Sequence, residues 1–258
     1  MDLGLKGRFA LVCASSQGLG YACAEALARE GCAVILNGRD GEKLARAVGR
    51  LREAGADVRM IAADLTTGQG REKLLAQAGN VDILINNNAG PPPGKLSDWD
   101  HDALLMAVEA NMIPAVLLMR ALIPAMRARK FGRIVNITSA MVKSPRYVMG
   151  LSTAARAGLT AIAKAISTEV IVDNVTINNL LPERIDTPRQ EFMAQRMMAE
   201  QGIDREEARR QIAGTIAAKR FGRPEEFAAA CAFLCSVHAG FISGQSLQLD
   251  GGSYAGLV

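Results

Sequence analysis

Histidine and cysteine are scarce in this chain, at 2 and 5 of 258 residues. His101 and His238 stand far apart with no ligand cluster around them, so nothing points to a metal centre. Cys13, Cys23 and Cys32 sit in apolar contexts, and Cys231 and Cys235 lie one helical turn apart. An odd count of that kind argues for buried reduced thiols and against a disulfide framework. Long hydrophobic runs are also missing near the start: the apolar stretch 9–14 is too brief for a signal-peptide core or a membrane span. There is no low-complexity tract, no repeat of fixed period and no Gly/Ser linker, which argues for one domain over 1–258. The net charge of +4, from 30 basic and 26 acidic residues, is scattered apart from small groups such as Arg127, Arg129, Lys130 and Arg133. That distribution favours a solvated surface over a nucleic-acid footprint. The expectation is a soluble, cytoplasmic protein whose partners include neither nucleic acid nor membrane.

What is present is a large apolar content, 49% of residues, distributed in alternating strand-like and helix-like segments. The continuous apolar run at Phe9, Ala10, Leu11, Val12 and Cys13 has the character of a strand buried on both faces. A helix from about Tyr21 to Glu30 follows. Strand-like Ala33, Val34, Ile35 and Leu36 come next, then a helix through Leu44, Val48 and Leu51, then Val58 to Ile61. Another helix precedes Val81, Asp82, Ile83, Leu84 and Ile85. Strands separated by helices of this length imply parallel βαβ units with right-handed crossovers. The expected fold class is α/β, a doubly wound parallel sheet with helices on both faces.

The first strand feeds Ala14, Ser15, Ser16, Gln17, Gly18, Leu19 and Gly20. A strand leading through a glycine turn into a helix sets backbone N–H groups and the positive helix end where a pyrophosphate can sit. Gly18 allows close approach of phosphates and Gly20 allows helix-to-sheet packing, while Ala14 stands where a first glycine would make the tight turn. The second strand ends in Asn37-Gly38-Arg39-Asp40. It has no carboxylate at the position that would receive a ribose, and Arg39 is suited to a 2′-phosphate, which favours NADP(H) over NAD(H).

Residues 136–158 concentrate the polar groups suited to chemistry. A strand ends at Ser139, a loop passes Ser144, Pro145 and Tyr147, and a helical pattern follows through Ala155, Leu159, Ile162, Ile166 and Val170. Ser152 and Arg156 therefore share a helix face, one turn apart.

Taken together, these segments resemble the short-chain dehydrogenase/reductase family over nearly the whole chain. The resemblance is carried by Ala14-Ser-Ser-Gln-Gly18-Leu-Gly20, Asp64-Leu65, Asn86-Asn87-Asn88-Ala89-Gly90, Asn111, Ser139, Pro182 with Thr187, Phe221-Gly222-Arg223-Pro224-Glu225-Glu226, and Asp250-Gly251-Gly252. It implies a single-domain Rossmann fold of about seven strands. It also implies hydride transfer between a nicotinamide and a carbonyl or secondary alcohol. By resemblance, Asp64 and Leu65 hold the adenine, Asn86 or Asn87 lies under the adenosine half, and Pro182, Ile185 and Thr187 flank the nicotinamide. The strand register puts Asn88 and Ala89 where the family has Ala and Gly, and Glu183 replaces a glycine. Asn111 would kink its helix and bind a relay water, or simply satisfy backbone groups near Pro114.

Ser139 matches the family's carbonyl-binding serine. The usual spacing then reaches Ser152 and Arg156 in place of the tyrosine acid and the lysine that assists it. The pattern is similar to a 3-oxoacyl-carrier-protein-reductase-like subgroup with Ser-x-x-x-Arg. An aliphatic hydroxyl is a far weaker acid than a phenol, whereas Arg156 can still bind ribose hydroxyls through its fork of donors. The proton source is left open between Ser152, Tyr147 and a water held by Asn111. Loop residues Pro91, Pro92, Pro93 and Gly94 form a rigid wall beside the cleft. The middle of the chain looks like the family's helical dimer-forming region, with one segment from Trp99 to Asn111 and another, 113–126, apolar enough to be buried against sheet or partner. Segment 188–219 is by resemblance a methionine-bearing substrate lid or else a surface helix pair with methionines in its core. Residues 245–258 read as an edge strand and subunit contact in a homotetramer or homodimer. Besides an NADP(H)-dependent oxidoreductase, a catalytically silent cofactor-binding relative acting as sensor or subunit partner and a lyase on the same fold remain as readings.

Overall fold

A computed structural model describes residues 1–257. Its strands are β1 (Phe9–Val12), β2 (Ala33–Gly38), β3 (Val58–Ala62), β4 (Ile83–Asn86), β5 (Gly132–Ile137), β6 (Val175–Pro182) and β7 (Ser246–Leu249). The helices between and after them are α1 (Gly18–Arg29), α2 (Gly41–Glu53), α3 (Gly68–Ala78), α4 (His101–Asn111), α5 (Ile113–Ala128), α6 (Gly150–Val170), α7 (Pro188–Gln201), α8 (Arg205–Gly214) and α9 (Pro224–Cys235). The strands form one parallel sheet in the order β3-β2-β1-β4-β5-β6-β7.

Strand residues that the sequence shows as unbroken apolar runs are apolar because the sheet is covered on both faces. Ala10, Val12, Leu36 and Ile85 pack into one core layer with Leu27, Leu44 and Phe227, drawn from α1, α2 and α9. The alternate residues Leu11, Ile35, Leu84 and Ile134 pack into the other with Leu74, Leu118 and Leu159, drawn from α3, α5 and α6. The period of two along each strand thus sorts side chains between two layers. The small helix pair α7 and α8 has its own cluster at Ala194, Ala208 and Ile212, against which Met193, Met197 and Met198 pack.

From β1 the chain progresses outward through β2 and β3, then returns to β4 and proceeds the other way. The reversal opens a crevice at the carboxyl ends of β1 and β4, where ligands bind in sheets of this kind. A row of amides crosses the sheet nearby. Asn86, Asn136, Asn179 and Ser246 are in register on β4 to β7, and Asn86 Nδ2 donates to Asn136 Oδ1 at 2.8 Å. Asn136 Nδ2 donates to Asn179 Oδ1 at 3.0 Å, and Asn179 Nδ2 to Ser246 Oγ at 3.3 Å.

Residues 101–128 have the length and mean hydropathy, 1.6, of a membrane span. Met112 breaks them into two helices with φ −127° and ψ −57°, and Leu118, Met119, Leu122 and Met126 of α5 are buried against the sheet. The apolar content of α5 is thereby accounted for as core. Helix α1 begins at Gly18, three residues ahead of the sequence expectation, because the glycine turn is itself the first helical turn. In the C-terminal tail β7 is the edge strand, and Val258, its last residue, lies outside the described residues.

Candidate active site

A cleft of about 700 Å³ occupies the carboxyl ends of the strands. Its first wall is the turn from β1 to α1. Ala14 adopts φ +44°, a left-handed conformation that suits glycine. The alanine therefore makes the tight turn by accepting strain. Gly18, at φ +62°, faces Thr187, with an added Cβ falling 3.9 Å from the Thr187 Cβ. At Gly20 a Cβ would lie 2.5 Å from the Ala14 carbonyl oxygen and 2.9 Å from Asn87 Nδ2, so the helix can approach the strand end only without a side chain there. No side chain caps the N-terminus of α1, and its first turn holds no acidic residue. Open N–H groups, a positive helix end and a glycine cradle facing Thr187 suit a pyrophosphate.

The next wall is the end of β2. Asn37 is buried, its Nδ2 donating to the Ile61 and Ala63 carbonyls, so it serves the sheet. Asp40 caps α2 by accepting from Glu42 and Lys43 N–H groups at 3.1 and 3.0 Å. Its carboxyl is held below the usual range by the Lys43 N–H bond first. Ser16, Arg39 and Lys43 line the cleft beside Asp64 and Leu65. Arg39 lies 3.9 Å from Asp64, whose other oxygen accepts from Thr66. Asp40 caps its helix through one oxygen and lies 3.7 Å from Lys43 through the other, so this corner gathers Arg39 and Lys43, cations of the kind that suit a 2′-phosphate.

Across the cleft stand Ser139, Ser152, Arg156, Pro182, Ile185 and Thr187, all on its surface. Ser139 Oγ accepts from Met141 N at 3.2 Å, which leaves its proton free to donate. Ser152 Oγ accepts from Arg156 Nε at 3.3 Å, so its proton is likewise free. The spacing of four on α6 produces that contact. The arginine is the better-tied of the two: Nη1 donates to the Ile137 and Thr138 carbonyls at 2.8 and 3.1 Å, and Nη2 to the Asn88 carbonyl at 3.1 Å. Burial, with Arg189 nearby, pushes the guanidinium down to about 10. Four of its five donors are used within the protein, and Arg156 therefore fastens the ends of β4 and β5 to α6. The expected ribose clamp retains one N–H.

Three residues expected at the site lie elsewhere. Gly20 is buried under the turn, as its packing role requires. Asn86 faces Asn136 across the sheet, whereas Asn87 lines the cleft and donates to the Ala14 carbonyl at 3.2 Å. Asn111 sits behind the site, where its Nδ2 meets the Ala107 carbonyl at 3.4 Å. It lines a separate cavity of about 20 Å³ with Asn86, Asn88 and Arg156. Asn86 Oδ1 and Asn111 Oδ1 are both buried without a protein partner, and the cavity has room for one water.

Tyr147 points away. Its hydroxyl accepts from Leu96 N at 3.0 Å, its ring lies 5.9 Å from Trp99, and it is 63% exposed. Lys143 lies over the Tyr254 ring. Of the side-chain proton sources left open by the sequence, the fold brings Ser152 to the cleft and turns Tyr147 outward. Pro93 lines the cleft, and the Pro91 carbonyl accepts from Arg189 Nη2 at 3.3 Å. Sequence reasoning missed two features here. Asn88, the residue that displaces the strand register, places its carbonyl on Arg156, so the two departures from the family pattern meet in one hydrogen bond. Glu183, in the place of a glycine, is 9% exposed and ion-paired with Arg146, which joins the loop after β6 to the loop after β5.

A family profile described as enoyl-(acyl carrier protein) reductase matches residues 13–254. Dehydrogenase/reductase SDR family member 4 of Bos taurus is 33% identical over 258 residues, covering 98% of this chain and 89% of that protein. The NADPH-dependent reductase BacG of Bacillus subtilis is 31% identical, covering 95% and 97%. Among solved structures, L-sorbose reductase of Gluconobacter frateurii complexed with NADPH and L-sorbose superposes with TM-score 0.94 at 32% identity, covering 100% of both chains.

Proposed function

This chain belongs to the short-chain dehydrogenase/reductase family, and from that premise we propose that it is an NADP(H)-dependent oxidoreductase acting on a carbonyl or secondary alcohol, with Ser152 and Arg156 in an altered proton-donor arrangement. The relatives BacG and L-sorbose reductase use or bind NADPH. The corner of Ser16, Arg39 and Lys43 supports the same choice here, with Asp40 tied up as a helix cap. When bound, the reduced nicotinamide supplies the hydride that the carbonyl carbon accepts.

The protein's own part is to hold the oxygen and deliver a proton. In this reading the phosphates rest on Ala14, Ser16, Gln17, Gly18 and Leu19, the adenosine half on Asp64, Leu65 and Asn87, and the nicotinamide half beside Pro182, Ile185 and Thr187. Ser139 and Ser152 each keep a hydroxyl proton free and both face the cleft. Together they receive the negative charge that develops on the oxygen, a contribution worth about 10²–10³ in rate per donor. Ser152 passes its proton to that oxygen. The Arg156 Nε–H steadies the serine oxygen while solvent reprotonates it. Arg156 remains charged throughout the neutral range.

The observation that carries this reading is the Arg156–Ser152 contact at 3.3 Å, which polarises the hydroxyl of a serine that lines the cleft. The competing reading, a cofactor-binding but silent relative, draws on the same arginine, since four of its five donors are satisfied within the protein. Exposed Leu104, Leu105 and Met106 on α4 support a subunit contact in a homotetramer or homodimer. The test is cofactor fluorescence titration with NADPH and NADH beside a turnover screen on ketones and alcohols. Tighter NADPH binding with turnover is the expected result. Tight binding without turnover on any substrate selects the silent reading.

A further inference from the structure

Five arginines line the cleft on the side of Ser139 and α7: Arg146, Arg156, Arg184, Arg189 and Arg196. Two of them have carboxylate partners, Arg146 with Glu183 and Arg196 with Glu200. Among the described residues, no ion pair reaches the other three. Arg156 is engaged by carbonyls. Arg184 and Arg189 are engaged far less fully: Arg184 Nε is buried with no acceptor, and its Nη1 meets only Gln190 Oε1 at 3.5 Å. Its backbone at φ +52° is a conformation that side chains other than glycine seldom adopt. Arg189 makes one bond, to the Pro91 carbonyl, and lies over the Phe192 ring at 5.4 Å.

Burial lowers the pKa of both guanidinium groups, and neighbouring cations add to it, Arg146 at Arg184 and Arg196 at Arg189, with the Glu183 carboxylate opposing at Arg184. Five arginines in a half-buried cleft that holds only Glu183 and Glu200 beside them leave an excess of positive charge, which a bound anion relieves. The phosphates of the cofactor have a separate seat at the uncapped start of α1. The partners of Arg184 and Arg189 belong instead to the loop after β4, through Pro91, and to α7, through Gln190 and Phe192. Between these cations the wall is apolar and adaptable: Met141, Val148, Met149, Met193 and Met197.

We propose that the substrate of this cleft is a carbonyl compound, or its alcohol, carrying an anionic group, carboxylate or phosphate, that Arg184 and Arg189 bind across an apolar spacer. The proposal rests on the reductase reading above and adds the substrate class to it. The test pairs aliphatic 4-, 5- and 6-oxo acids with their methyl esters, and dihydroxyacetone phosphate with dihydroxyacetone, using NADPH and the full-length enzyme. In at least one pair the anion should exceed its neutral counterpart by about tenfold or more in kcat/KM. Arg184→Gln and Arg189→Gln should erase that preference while leaving the NADPH Kd within about twofold, and Arg189→Lys should restore part of it. Whether acids or the phosphate are preferred identifies the anion. Neutral members matching or beating anions in every pair overturn the proposal, as do variants that weaken NADPH binding by the same factor as substrate. If nothing is turned over, calorimetric titration of the same pairs into the enzyme–NADPH complex separates the two claims. Binding of anions alone upholds the anion site while the reductase reading fails. Binding of neither, or of both equally, removes the anion site.

Discussion

At the scale of single residues, the proposed function has Ser152 and Arg156 divide between them what a tyrosine and a lysine do in the family pattern. If Ser152 is the immediate proton donor, Ser152→Ala should lower kcat by roughly 10²–10⁴ and leave the NADPH Kd nearly unchanged. A fall of only a few-fold would make Ser152 a wall of the pocket. Arg156 has a pH signature. Burial lowers its pKa from the ordinary arginine value to about 10, so its cation is fully present below about 10 and is lost above it. Reduction should therefore hold steady through neutral pH and decline beyond about 10. Arg156→Lys should move the decline to lower pH, because a lysine starts near 10.4 and meets the same burial. An identical profile in both enzymes would dissociate Arg156 from the chemistry. The same linkage works on stability. An unfolded arginine binds its proton more tightly, so the desolvation cost is present below about 10 and is relieved as the pH rises from there toward the ordinary arginine value.

At the scale of elements, the turn between β1 and α1 is the proposed seat of the cofactor's phosphates. Gly20→Ala places a methyl against the Ala14 carbonyl and Asn87. It should weaken NADPH binding by more than about tenfold and cost about 1–3 kcal/mol of stability, read by titration and by denaturant unfolding. Ala14→Gly should be neutral or stabilising by up to about 1 kcal/mol, since the strain at φ +44° is removed; a loss of stability would contradict the account of that turn. Much of this element was readable in advance. The apolar run 9–13, the glycines at 18 and 20 and the period of four, three, four and four in α6 follow from rules of local geometry. The destination of Asn111 and of Tyr147 did not follow. Each sits at the end of a helix or in a loop, where direction depends on tertiary contacts such as Tyr147 with Leu96 and Trp99. Asp40 could have been recognised, since an aspartate opening a helix is a capping residue before it is a ligand. Asn88 gave a signal too, as the residue that shifts the strand register. That it answers Arg156 required three dimensions, because 68 positions separate them.

At the scale of the whole molecule, the cofactor cleft joins elements from both halves of the sheet: the turn after β1, the ends of β2 to β6, and α6 and α7. A ligand that binds there and not to the unfolded chain stabilises the whole. NADPH at about 100 times its Kd should add about 2.7 kcal/mol, which for a chain of this size raises Tm by roughly 5–10 °C. NADH at the same concentration should give a smaller shift. Equal shifts would reassign Arg39 and Lys43 to surface roles. The claim that matters most is that a cleft without the tyrosine still transfers hydride. It is tested most directly by offering the wild-type enzyme NADPH deuterated at the transferring position with the oxo-acid panel, and examining the products by mass spectrometry. The account predicts secondary alcohols carrying deuterium at the carbinol carbon, formed far more slowly by Ser152→Ala. Saturating NADPH binding with no label in any alcohol would contradict it.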